Sequence, residues 1–67
     1  MARGTVKYFN DHKGYGFITE GEGKKDVYVH FSAIEGSGFR TLHEGEEVVF
    51  ETKASERGRE ATHVQKI

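Results

Sequence analysis

The 67-residue chain has no cysteine, no proline and no tryptophan. Without cysteine there are no disulfides and no thiolate metal sites, so the fold must hold by packing alone. A domain of this length buries only about 60% of its unfolded surface, which makes every apolar side chain count. A reducing, cytoplasmic setting suits such a chain. The absence of proline leaves the unfolded chain free of rigid turns, which lowers the expected stability. Long apolar runs are missing too, so no segment is expected to cross a membrane. The opening Met1-Ala2-Arg3-Gly4 leads straight into strand-like sequence, and no secretory leader is expected.

A large charge of either sign is also missing. Ten basic and eleven acidic residues leave a net charge of −1. A protein that grips duplex DNA through its phosphates is usually strongly basic, so that mode is disfavoured. An anionic partner would have to be held by more than charge.

What is present is unevenly placed. Only 34% of the residues are hydrophobic, yet aromatic residues recur at Tyr8, Phe9, Tyr15, Phe17, Tyr28 and Phe31, among lysines and glycines. Short apolar stretches between glycine-rich breaks predict strands, and no stretch has a helical apolar period. Five strands are expected, at 4–10, 15–20, 26–31, 46–53 and 60–66. Turns are expected at 11–14, 21–25 and 54–58. The segment 32–45 reads as a long loop with a single helical turn at Ser32-Ala33-Ile34. Five short antiparallel strands closing on themselves would form an all-β OB-fold barrel, a single domain spanning 1–67.

Alternation divides the strands into two faces. Val27 and Val29 fall on one side of the third strand, Tyr28 and His30 on the other. In the second, Ile18 opposes Tyr15 and Phe17. The interior is therefore expected to hold Val6, Ile18, Val27, Val29, Ile34, Val48, Phe50 and Val64, with Leu42 also read as core. Tyr15, Phe17, Tyr28 and His30 are left outside as an aromatic surface, a feature that usually marks a binding site. The first strand breaks the rule, because Val6 and Tyr8 share a parity while Tyr8 belongs with the outer rings. A β-bulge is expected there.

Lys13-Gly14-Tyr15-Gly16-Phe17-Ile18 resembles the first ribonucleoprotein motif, and Val27-Tyr28-Val29-His30-Phe31 the second. With 4–10, Phe31-Ser32-Ala33-Ile34, 38–42 and Glu44-Gly45, they resemble the cold-shock domain family along the whole chain. The resemblance implies a nucleic-acid surface of Lys7, Tyr8, Phe9, Lys13, Tyr15, Phe17, Tyr28, His30, Phe31 and Phe39. It also implies an RNA chaperone that traps unpaired strands, with single-stranded RNA and single-stranded DNA as partners. No cofactor and no enzymatic activity are expected. A monomer is expected, with a dimer as the alternative. The chain departs from the family pattern at Tyr8, where tryptophan is common. It departs again in the 21–25 loop, one residue longer and carrying Lys24 and Lys25, and in the proline-free turn near Arg57 and Arg59.

The chemistry suits those residue types. Every base has a π-face, so rings hold bases without reading their order. Gly14 and Gly16 let backbone or base approach closely, and Lys7 and Lys13 can meet phosphates. An RNA-recognition sheet needs two helices that the chain lacks. A nuclease would need a partner for His30, and Asp26 belongs at a strand start. Zinc binding would need tighter spacing than His12, His30, His43 and His63 offer. A small barrel taking a protein ligand in an aromatic groove remains the alternative.

Overall fold

The computed structural model describes residues 2–21, 23, 25–36, 41–56 and 58–67. Its strands are β1 (Ala2–Asn10), β2 (Tyr15–Thr19), β3 (Val27–His30), β4 (Glu47–Ser55) and β5 (Gly58–Lys66). A 3₁₀ turn, Phe31–Ala33, follows β3 directly. The expected strands are all present, with ends shifted by at most two residues. Shifts of two residues occur at the start of β1, which reaches back to Ala2, and at the β4–β5 hairpin, whose arms continue to Ser55 and Gly58.

The sheet closes in the order β1-β2-β3-β5-β4 and back to β1. Four of these pairings are antiparallel, as expected. The fifth, β3 against β5 at Tyr28↔Glu60, is parallel, which corrects the expectation of an antiparallel arrangement throughout. The chain passes from β3 to β4, and the β4–β5 hairpin then lays β5 beside β3 pointing the same way; a closed ring of five strands cannot alternate direction throughout and leaves one such seam.

β1 serves two neighbours. Its first half pairs with β4 from Ala2↔Phe50 to Thr5↔Glu47, and its second half with β2 from Thr5↔Thr19 to Asn10↔Tyr15. Gly4 sits where the strand passes between them. A Cβ there would lie 2.7 Å from Ile18 Cγ2 and 2.8 Å from the Thr19 carbonyl oxygen, so the close crossing needs glycine.

Two bulges set which side chains face inward. The β1–β2 register slips between Val6 and Tyr8, leaving Lys7 as the extra residue. Val6 is thus buried and Tyr8 turned outward, as the parity conflict predicted. The second bulge is in β5, where the β4–β5 register shifts between Val49 and Glu51. His63 lies there with φ +49°, in the left-handed region that histidine tolerates better than most residues. The extra residue lets Ala61 and Val64, three apart, both point inward.

The interior holds Val6, Ile18, Val27, Val29, Ile34, Leu42, Val48, Phe50, Ala61 and Val64. Every expected core residue is there, and Ala61 is added. Phe50 is the largest fully buried side chain. Ile34 covers one end through a parallel bridge to Val64, reinforced by the Glu35 N–H donating to the Val64 carbonyl at 2.8 Å. Among the described residues no buried side-chain polar atom lacks a partner, as a water-free interior requires.

Candidate nucleic-acid interface

The rings left outside the barrel form a continuous surface across β1, β2 and β3. Strand pairing sets Tyr8 beside Phe17, Phe17 opposite Tyr28, and Tyr15 opposite His30. Tyr8 and Phe17 have ring centroids 5.4 Å apart, tilted by 47°. Phe17 meets Tyr28 edge-on at 5.8 Å, and Tyr28 stacks on Tyr15 at 5.9 Å. These are favoured aromatic geometries, and each ring restrains the next. Tyr8 is 42% exposed and the other three are half-buried, with one face covered by the sheet and neighbours.

A second pair sits at the end of β3. His30 and Phe31 have centroids 4.6 Å apart. Phe31 belongs to the 3₁₀ turn rather than to the strand, and is 44% exposed. The turn ends β3 one residue earlier than the sequence pattern predicted and swings the phenyl ring over Gly14. A Cβ on Gly14 would lie 2.7 Å from Phe31 Cδ1, and its φ of +76° also favours glycine. The Phe31 N–H donates to the Gly14 carbonyl at 2.8 Å, so the turn after β1 and the end of β3 are held together. Asn10 shapes that turn. Its carbonyl accepts from the Gly14 N–H at 2.7 Å, and its Oδ1 accepts from the Lys13 N–H at 3.0 Å.

Phe9 is placed differently from its neighbours. Its ring is half-buried and packs partly against the core, beside Gly16. Lys7, the bulge residue, points to solvent and pairs with Asp26 at 3.0 Å. Asp26 thus lies immediately before β3, close to the strand start where it was expected, and its partner is the lysine rather than His30. Lys13 is exposed and has no ion pair among the described residues. Phe39, Lys24 and Arg57 lie outside the described residues. Arg59, on β5, is paired with Glu20, the residue after β2. Among the described residues no group of three or more His, Asp or Glu side chains is placed to hold a metal.

The sequence model of the "Cold-shock" DNA-binding domain family matches residues 2–67. The chain belongs to that family. Among its cold-shock relatives, cold shock protein CspB of Bacillus caldolyticus is 58% identical over 67 residues, covering 100% of both chains. Cold shock-like protein CspC of Escherichia coli K12 is 54% identical over 65 residues, covering 97% of this chain and 94% of that protein. Among solved structures, drosophila Unr CSD456 superposes with a TM-score of 0.76 at 21% identity. That match covers 98% of this chain and 26% of the other, and shows the shared barrel fold.

Two contacts beside the exposed rings lie outside the expectations from sequence. Asp26 was not identified as the partner of Lys7, because the bulge that aims Lys7 toward β3 sets the pairing. Ser32 was not linked to His30, although a His-x-Ser spacing ahead of a turn is the kind of local side-chain-to-backbone contact that sequence can suggest. Its N–H donates to His30 Nδ1 at 3.3 Å. No described helix is long and apolar enough to cross a membrane.

Proposed function

We propose that the aromatic face of β1–β3 binds single-stranded RNA and single-stranded DNA, and that the protein acts as a passive RNA chaperone. The observation that carries this reading is the unbroken run of rings Tyr8–Phe17–Tyr28–Tyr15. Unpaired bases offer π-faces that a duplex hides, so the run favours single strands. Each stacked base is worth about 1–3 kcal/mol and the order of bases matters little. Trapping unpaired strands shifts RNA away from hairpins by mass action, so no nucleotide hydrolysis is required. Membership of the cold-shock DNA-binding domain family supports nucleic acid as the ligand.

Charge plays the smaller part. Lys7 already has a carboxylate partner, and Lys13 is exposed beside Gly14, whose carbonyl is bonded to the 3₁₀ turn. His30 and Phe31 extend the stacking surface at one end, and Phe9 supports it from beneath. In this reading the protein binds and does no covalent chemistry.

The test is fluorescence anisotropy with a labelled single-stranded oligonucleotide against a duplex of the same sequence. The label is needed because the chain has no tryptophan. Tight binding to the single strand with little to the duplex is the expected result. Equal binding to both would indicate attraction by charge alone. Binding to neither would favour a protein ligand in the aromatic groove.

A further inference from the structure

His30 ends β3 and caps the 3₁₀ turn, and the cap fixes where its proton sits. Its Nδ1 is 3.3 Å from the Ser32 backbone N and 2.9 Å from Ser32 Oγ. A hydroxyl can donate or accept, so the Oγ contact alone leaves the tautomer open. A backbone N–H can only donate. Nδ1 therefore presents its lone pair to Ser32, and the neutral ring carries its proton on Nε2. The neighbouring Phe31 ring, 4.6 Å away and inclined by 41°, restrains the imidazole plane.

We infer that His30 contributes a fixed hydrogen-bond donor, Nε2–H, as well as a stacking face, with Ser32 as its positioning residue. This rests on the reading of β1–β3 as a single-strand surface. The group it selects is an acceptor on the strand: a pyrimidine carbonyl or purine N7 on a base edge, or a phosphate oxygen. All share one chemistry, a lone pair facing an N–H. A ring without that proton would stack as well and give up the contact. The other rings described in the run are phenyl or phenol, so the imidazole brings the one nitrogen donor among them. The sequence supplies the parts, His30 and Ser32 two residues apart, and the 3₁₀ turn brings the N–H back onto the ring.

Two measurements on the full chain test this. The first is ring nitrogen NMR of the free protein at a pH where His30 is neutral, which reads the tautomer without any ligand. The second is oligonucleotide affinity for wild type and His30→Phe, which keeps a stacking ring and removes the donor. The expected results are an Nε2-protonated ring and a roughly threefold to tenfold loss of affinity in the variant, the size of one net hydrogen bond. Repeating the comparison on an oligonucleotide with uncharged formacetal linkages, which carry no phosphoryl oxygen, separates the two sources. A persisting loss places the acceptor on a base, and a vanished loss places it on phosphate. An Nδ1-protonated ring, or a His30→Phe protein that binds as tightly as wild type, overturns the inference. A wild-type protein that binds no single strand overturns the functional reading and the inference with it, and the tautomer result shows whether the Ser32 contact itself was correct.

Discussion

Phe17 and Tyr28 face each other directly across the β2–β3 ladder, and their rings meet edge-on at 5.8 Å. On the opposite side of the same strands Ile18 and Val27 are fully buried in the barrel. One pair of strands thus carries the core on one face and the proposed binding surface on the other. Removing an outer ring should therefore leave the fold standing.

Phe17→Ala and Tyr28→Ala are each expected to weaken single-strand binding by about 1–3 kcal/mol. Circular dichroism should still report a folded β-barrel, because the interior residues are untouched. The double variant should lose less than the sum of the singles in stability, since the rings contact each other. Unfolding of both single variants would mean that these rings hold the core, and the face assignment would be wrong.

Gly16 tests how tightly β1 and β2 approach. A Cβ at this position would lie 2.2 Å from the Tyr8 carbonyl oxygen and 2.7 Å from Phe9 Cα. Both are backbone atoms, so no side-chain rotation relieves the clash and the strands must separate. Gly16→Ala is expected to cost at least about 1 kcal/mol, which lowers the thermal midpoint by about 4 °C or more in a domain of this size. It should also weaken binding, because Tyr8 is displaced with its carbonyl. An unchanged midpoint would contradict the packing described for this ladder.

The alternating strands were the most legible part of the chain. Val27-Tyr28-Val29-His30 sorts its side chains by parity alone, and β3 obeys it without exception. β1 gave a warning, because Val6 and Tyr8 could not both follow the pattern, and the bulge at Lys7 resolves it. β5 carries no such conflict. Ala61 is small and His63 polar, so neither drew attention, yet the bulge at His63 is what turns Ala61 and Val64 inward together. The parallel β3–β5 seam depends on where a long connection returns the chain, which local periodicity does not encode. Phe31 was expected at the end of a strand because its neighbours alternate. The N–H groups of the 3₁₀ turn, capped by His30, end the strand first. Lys7 was recognised as a cation, but a pairing across nineteen residues with Asp26 had no local signature.

That pairing bears on salt dependence. Lys7 must exchange Asp26 for a phosphate, whereas Lys13 has no ion pair to break among the described residues. Single-strand binding loses about 0.7 in the slope of log K against log salt for each phosphate contact. With one to three contacts the slope should lie between about −0.7 and −2. Lys13→Gln is expected to reduce its magnitude by about 0.7 and to cost more affinity than Lys7→Gln. Titrations at several salt concentrations decide it. A slope several times steeper would show that phosphate attraction, rather than stacking, supplies most of the affinity.

A pH-dependent link joins β5 to the segment after the 3₁₀ turn. Glu35 Oε2 lies 2.7 Å from His63 Nδ1, and Gln65 Nε2 donates to Glu35 Oε1 at 2.6 Å. The hydrogen bond to Glu35 raises the His63 pKa above its ordinary value of 6.5, helped by the charges of Glu35 and Glu51. Hydrogen bonds from Gln65 and then His63 lower that of Glu35 below 4.5. A histidine whose folded pKa is raised adds stability that is complete below the unfolded pKa and lost as pH rises through the folded one. A carboxylate whose folded pKa is lowered adds stability above its unfolded pKa and loses it as pH falls through the folded one. The link therefore contributes most between 4.5 and 6.5 and fades on both sides. Both side chains are well exposed, so the effect is small. His63→Asn removes the titration while keeping a residue that tolerates the left-handed backbone of the bulge. Thermal midpoints of both proteins, measured from about pH 5 to about pH 8.5, should converge as the pH rises, because only the wild type has the link to lose. Parallel curves over that range would mean that Glu35 and His63 are not paired in solution, and that Ile34 is held over the barrel end by its packing and the backbone link to Val64 without help from the side chains.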